Sequence, residues 1–225
     1  LFRSDIAKKN DRLTIGNLDL KPEKNNYFSL SAEYVHERFS VSVNAFYNNI
    51  RDMIDYNTIA TGDKAMEQYG HKEVRQRDNI AEAKVHGINV SANAYLGAGF
   101  NLSGGYTHLN TQDVELEQPI DKSIKNAYNI NAQWAHSWKI YRLNINLNGR
   151  FNSKRFSKSY GYAPEYQLWD LNTRHSFNLK SVIIEPGCGM ENLFDYMDDR
   201  PYNSNYATLT PGRSFYISLS LKFKS

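Results

Sequence analysis

The sequence predicts an all-β fold: about nine antiparallel strands forming part of a transmembrane β-barrel. Three observations predict it. Apolar and polar residues alternate in segment after segment, the connections between segments are short and long in strict turn, and aromatic residues gather at both ends of the segments. The clearest segment is Ser214 to Phe223, where Phe215, Ile217, Leu219, Leu221 and Phe223 oppose Tyr216, Ser218, Ser220 and Lys222. A period of two is the mark of a strand with two unlike faces.

The segments follow in order. The run Asn25 to Tyr34 places Phe28, Leu30, Ala32 and Tyr34 on one face, and Phe39 to Asn48 repeats the device after the break "VHER". Strands joined so tightly form an antiparallel hairpin. A long polar stretch, about 55–78, reads as a loop, and "NIAEAKVHGINVSANAY" reads as the third strand. Its apolar parity changes near Gly87, which predicts a bulge there. The turn "LGAG" leads into "FNLSGGYTHL", and a second long connection covers about 110–126. "AYNINAQWA" and "YRLNINLNGRF" form the next hairpin; in the latter Tyr141, Leu143, Ile145, Leu147 and Phe151 oppose Arg142, Asn144, Asn146, Asn148 and Arg150. A third long connection, about 153–165, precedes "YQLWDLNTRHSF", and the tight "NLKS" returns the chain into "VIIEPGCGMENLF". A last long connection, about 195–213, leads to the final strand. No convincing amphipathic helix is visible in the pattern.

Bulk properties narrow the class. The 225 residues carry 27 basic and 24 acidic side chains, a formal charge of +3, so charge points to neither nucleic acid nor an anionic surface as the main partner. A mean hydropathy of −0.65 and the lack of any apolar run near 18 residues exclude membrane helices. They do not exclude membrane strands, which hide their hydrophobicity by alternating it. The single cysteine, Cys188, has no partner for an internal disulfide and reads as a small apolar group, buried or facing lipid. The opening "LFRSD" carries neither an initiating Met nor a signal pattern, and the chain is expected to be part of something longer.

Lipid is favoured over a soluble core as the neighbour of the apolar face. Short turns at one end and long loops at the other are the arrangement of outer-membrane barrels, with the long loops extracellular and the short turns and C-terminus periplasmic. Tyr34, Phe39, Tyr95, Phe100, Trp134, Tyr141, Phe177 and Phe223 collect near the short turns; Tyr47, Phe151, Trp169 and Phe215 lie toward the long loops. Two such girdles suit two membrane interfaces. A soluble β-sandwich or lipocalin-like barrel also alternates, but explains neither the loop asymmetry nor the aromatic placement.

Three stretches carry a family resemblance. "GNLDLKPEKNNYFSLSAEY", Gly16 to Tyr34, is similar to a loop-to-strand segment of TonB-dependent outer-membrane receptors, with Leu18 where that family commonly has Pro. "ENLFD", Glu191 to Asp195, and the terminal "TPGRSFYISLSLKF" resemble the family's C-terminal segments, although Lys224 and Ser225 follow the last aromatic. The resemblance implies that residues 1–225 are the C-terminal part of a plugged barrel of about 22 strands. The plug domain, the TonB-contacting segment (TonB box) and the earlier strands would be supplied from outside this chain. It also implies active uptake of a scarce extracellular ligand of the haem, ferric siderophore or cobalamin class.

The partners implied are outer-membrane lipid and lipopolysaccharide, the receptor's own N-terminal plug and remaining strands, the TonB-ExbB-ExbD complex, and a surface lipoprotein as a further candidate. No nucleic acid is expected. There is no intrinsic cofactor, though the cargo would contain iron or cobalt. Candidate ligand-binding residues in the first long loop are Tyr69 and His71, whose phenol and imidazole suit axial iron ligation; a solvated loop histidine is the simpler reading. Arg150, Asp170, Arg174, Glu185 and Glu191 are expected to face the lumen or the plug, where structural ion pairing is the simpler role. The competing functions are a passive porin-like channel and an outer-membrane barrel enzyme. No Ser/His/Asp grouping or zinc-ligand spacing marks a catalytic site, and none is assigned.

Overall fold

The computed structural model describes residues 11–158, 160–198 and 210–224, and the chain divides into two compact units. The larger unit takes in 29–46, 86–110 and 120–225. Its strands are the stretches of β2 (Lys24–Val35), β3 (Phe39–Thr61), β4 (Glu73–Gly97) and β5 (Phe100–Asp113) that fall in those ranges, then β6 (Asn126–Trp138), β7 (Tyr141–Asn152), β10 (Tyr166–Asn178), β11 (Val182–Glu191) and β12 (Ser214–Phe223). Between β7 and β10 lies a small separate hairpin, β8 (Arg155–Ser157) with β9 (Gly161–Ala163). The nine long strands pair in chain order from β2 to β12, leaving β2 and β12 at the two edges.

Register explains why alternation dominates the sequence. Across β6, β7 and β10, Ala132, Leu147 and Leu171 stand in one row, Trp134, Ile145 and Thr173 in the next, and Trp138, Tyr141 and Phe177 at the short-turn end. The intervening rows are polar: Asn131, Asn148 and Asp170, then Gln133, Asn146 and Asn172. A slip of one residue would exchange the faces wholesale. The apolar rows are not buried against anything in the chain. Ile217 is 89% exposed and Phe223 82%, while few large apolar side chains of this unit are buried, Leu168 among them. Such a surface in a folded sheet requires a non-aqueous neighbour.

The short connections are as tight as the sequence predicts: residues 36–38, 98–99, 139–140 and 179–181. Ala98 and Lys139 adopt left-handed φ values of 51° and 46°, as tight hairpins demand. Gly99, with φ 86°, has no room for a side chain, since an added Cβ would fall 1.9 Å from the Ala135 carbonyl oxygen. Near the predicted bulge β4 runs on as a single strand, and Gly87 serves instead for close approach, its Cα facing the His108 carbonyl.

The smaller unit comprises the described parts of 1–28, 47–85 and 111–119, and here the sequence reading needs correction. The stretch 55–78 is not a loop. Strand β3 continues to Thr61, a two-turn helix α1 (Gly62–Tyr69) caps the excursion, and β4 begins at Glu73. A short strand β1 (Arg12–Ile15) pairs with β4 in parallel, Arg12 opposite Glu73 and Ile15 opposite Gln76. The core of this unit is small: Ala65 of α1 and Val74 and Ala83 of β4 are its buried apolar residues. Helix α1 ends at Gly70 in the left-handed conformation, whose N–H bonds the Met66 carbonyl.

Candidate functional site

The polar face of the larger unit is an amide and hydroxyl surface before it is a charged one. From β2 to β7 its side chains bond one another: Asn44 donates to Ser31 (2.7 Å), Ser42 and Ser91 share a hydrogen bond (2.7 Å), Thr107 donates to Asn89 (2.9 Å) and Asn131 to Asn148 (2.5 Å). A shallow cavity of about 390 Å³ opens on this wall, lined by Ser42, Asn44, Asn89, Ser91, Ser103 and Asn129 among others.

Charge enters the same face at Arg142 and Arg150 of β7 and becomes prominent on β10 to β12. Glu185 bonds Lys222 at 2.7 Å and accepts from Ser176 at 3.4 Å. Arg174 stands opposite Asn144 on one side and Gly187 on the other, close enough to act electrostatically on Glu185. Asp170 accepts the backbone N–H of Asn192 at 3.0 Å, and Glu191 accepts the Ser214 hydroxyl at 3.3 Å. Arg150 is exposed on β7, opposite Leu168 and Asn129. Of the five charged residues singled out in the sequence, three acids are therefore engaged by neighbours within the sheet.

Both motif segments turn out to be fastening points. In the smaller unit the Asn17 amide donates to the Arg77 carbonyl (3.0 Å) and to Asp78 (2.5 Å), and its own oxygen accepts the Asp19 N–H (2.9 Å). Asn79 grips Lys21 from both sides, accepting its N–H at 2.7 Å and donating to its carbonyl at 2.9 Å. Glu23 accepts the Ile54 N–H at 2.8 Å. In the larger unit Asn192, 4% exposed, donates to the carbonyls of Tyr196 (2.7 Å) and Pro211 (3.1 Å) and accepts the Tyr196 N–H (2.8 Å). Asp195 accepts the Arg213 N–H at 2.7 Å. Short amides and carboxylates are used where the chain turns with positive φ, 52° at Asn192 and 58° at Asp195.

The aromatic ends are real clusters. Near the short turns Trp138 stacks on Tyr141 (5.5 Å between ring centres), Phe177 lies tilted against Tyr141 (5.0 Å), and the Tyr141 hydroxyl meets the His175 Nδ1 at 2.7 Å. At the other end Tyr106, Tyr128 and Phe151 form a row with spacings of 4.7 and 5.5 Å.

Residues 6–193 match the family described as TonB dependent receptor-like, beta-barrel. The chain belongs to the TonB-dependent receptor β-barrel family. A probable TonB-dependent siderophore receptor, PiuA of Acinetobacter baumannii, is 28% identical over 162 residues, covering 64% of this chain and 21% of its own length. Among solved structures, the ferric enterobactin receptor PfeA of Pseudomonas aeruginosa superposes with a TM-score of 0.70 at 21% identity, over 94% of this chain and 33% of that one. BauA, the ferric preacinetobactin receptor of Acinetobacter baumannii, gives 0.67 at 18% identity, over 90% and 30%. These likenesses establish the fold. The chain spans about a fifth of the curated relative and about a third of these structures. Membership makes it a portion of an outer-membrane β-barrel, within a family of receptors and transporters.

In this receptor barrel portion the first long excursion holds the residues considered for ligand contact. Tyr69 closes α1, and His71 follows the cap, half-buried, its Nδ1 3.7 Å from Asp11 and without a hydrogen bond. No group of three or more metal-ligating side chains occurs among the described residues. What the sequence reading missed lies on the adjoining strands. Arg75 and Arg77 of β4 both stand over the ring of Tyr56 of β3, at 4.5 and 5.3 Å from its centre. Arg77 also donates to the Tyr56 hydroxyl at 3.3 Å, and that bond, with the charge behind it, holds the phenol below its ordinary pKa. The signal was present as two arginines spaced by two, but it has meaning only once 55–61 and 73–78 are known to be strand.

Proposed function

We propose that this chain is the C-terminal part of an outer-membrane receptor that imports an iron chelate of the ferric siderophore class to the periplasm, driven by energy from TonB. The observation that carries the reading is the two-faced sheet of a receptor-family barrel. Its apolar rows are exposed where lipid would lie, and its polar wall of amides and hydroxyls suits a water-filled or plugged lumen rather than a packed core. The siderophore class is favoured over haem and cobalamin by the relatives, several of which are iron-chelate receptors by name.

In this reading the short turns and the C-terminus are periplasmic, and the excursion capped by α1 is extracellular. The N-terminal plug and the remaining strands are supplied by the rest of the receptor. Asp170, Arg174, Glu185 and Glu191 face the lumen. The bonds made by Asp170, Glu185 and Glu191 support a wall-holding role for these three acids, with Arg174 and Arg150 left to meet the plug or the transport path. Tyr69 and His71 belong to the ligand-facing surface.

The test is growth of a strain lacking the whole gene, with ferric siderophores, haem or cobalamin supplied singly as the limiting source. Loss of growth on a ferric siderophore, restored by the intact gene only when TonB is present, is the expected result. Growth unimpaired on every iron chelate would overturn the proposal. An open, TonB-independent conductance of the purified protein in planar bilayers would replace it with a passive channel.

A further inference from the structure

We infer that the short-turn end of the larger unit binds one anionic diacyl phospholipid, its phosphate at Lys139 and Lys180 and one acyl chain in a groove floored by Ala132. This rests on the uptake reading above in one respect, that the short turns lie at the periplasmic leaflet.

The apolar rows are not equally deep. Ala132 of β6 stands between Leu102 of β5 and Leu147 of β7, with Phe100 and Trp134 in the next row toward the short turns. A single methyl among larger side chains leaves a groove of about 470 Å³, closed on its far side by Leu171. On a wall whose apolar side faces lipid, such a groove takes hydrocarbon.

Toward the turns the surface changes character. Trp134, His136 and Trp138 follow one another on β6, with ring centres 6.0 and 4.4 Å apart. The Trp134 indole N–H donates to the Ala98 carbonyl at 3.1 Å, whereas the Trp138 indole and the His136 ring have no hydrogen bond among the described residues. The Asn178 N–H donates to the Ile140 carbonyl at 2.7 Å, which fastens the β6–β7 turn beside the β10–β11 turn and brings Lys139 and Lys180 to one place. Both lysines are exposed, and neither has an ion-pair partner among the described residues. Lys224 is tied to the same turns by the Asn178 side chain and the Leu179 carbonyl. Of the strand residues within four positions of these two turns, Glu185 carries the one carboxylate, and Lys222 holds it at 2.7 Å.

Cations without a counter-charge, beside ring donors that are free, suit a phosphate with its ester groups below it. The dimensions agree. Lys139 is seven residues from Ala132, about 24 Å along a strand at roughly 3.4 Å per residue. At a tilt of about 45° this is about 17 Å of depth, close to half of a hydrocarbon core ~30 Å thick. A chain anchored at the lysines therefore ends in the groove.

The experiment uses the full-length receptor, stripped of lipid in detergent and titrated with phosphatidylglycerol or phosphatidylethanolamine of matched chains, bound lipids being counted by native mass spectrometry. The wild-type receptor is expected to hold one phosphatidylglycerol about tenfold more tightly than phosphatidylethanolamine. K139Q/K180Q is expected to weaken phosphatidylglycerol about tenfold or more, since each lysine contributes about fivefold, and K139R/K180R to retain it. A132F, which fills the groove, is expected to weaken both lipids about threefold. Should A132F fail to assemble, judged by its electrophoretic mobility without heating, A132L takes its place. Equal affinity for the two lipids, or no loss in K139Q/K180Q, overturns the site; undiminished binding in the Ala132 variants overturns the place of the chain. Orientation is checked apart, by treating intact cells carrying K139C/C188S with a membrane-impermeant maleimide. Labelling is expected only after the outer membrane is permeabilised, and labelling of intact cells overturns the orientation in the uptake reading whatever the lipid titration shows.

Discussion

Replacing Asn192 by Ala tests whether the motif segment after β11 is a structural fastening. The substitution removes two donated bonds, to the carbonyls of Tyr196 and Pro211, and one accepted bond from the Tyr196 N–H. The site is 4% exposed, so water does not simply replace them. At about 1 kcal/mol net for each bond the loss is about 3 kcal/mol. Alanine tolerates a φ of 52° less well than asparagine, whose short polar side chain suits the left-handed region, and this adds roughly 1 kcal/mol. A total near 4 kcal/mol is expected. The assay is urea unfolding of the full-length receptor in lipid vesicles, followed by tryptophan fluorescence. Trp169 is a local reporter, since its carbonyl accepts the Leu193 N–H at 2.7 Å and its ring touches Phe194. A loss below about 1 kcal/mol would show that the network is incidental, since a single net bond is worth that much.

Other outcomes follow from the same geometry. G99A is expected to abolish assembly of the barrel in membrane fractions, because its Cβ would strike the Ala135 carbonyl; G97A, with open space at a φ of 89°, should cost only about 1 kcal/mol. L147R, on the apolar row, should destabilise by about 2–4 kcal/mol in vesicle refolding, and N148R on the next residue by far less; equal effects would contradict the assignment of faces. E185Q should cost no more than about 1 kcal/mol, since Lys222 is 57% exposed, and a double-mutant cycle with K222M measures the coupling. The phenol of Tyr56 should ionise at lower pH than an ordinary tyrosine in ultraviolet difference titration, and R77Q should return it toward about 10. Because its folded-state value is depressed, any stability it contributes is fully present above the unfolded value and is lost as pH falls through the folded value.

How far the sequence could be read depended on what each face touches. Where one face is apolar, as in Leu143, Ile145 and Leu147 against Asn144, Asn146 and Asn148, alternation marks the strand and even its register neighbours. The ends of β3 and β4 carry the same backbone but no such contrast: "RQRDN" and "YNTIAT" are polar or mixed on both sides, so period two leaves no trace. Helix α1 is only eight residues long, and its N-cap Thr61 makes no side-chain cap bond. The parallel pairing of β1 with β4 joins residues about sixty apart, which no local pattern encodes. Tyr69 and His71 are legible as chemistry, but the Tyr56 array needs the ends of β3 and β4, within the stretch 55–78 whose pattern predicts a loop.

The bare edges of the sheet have a practical consequence. From Ser29 to Val35 the outer strand is exposed at every residue, and β12 is exposed at all but its first. Each presents a column of unpaired N–H and C=O groups, so a polypeptide made as residues 1–225 alone is expected to pair edge to edge with further copies of itself.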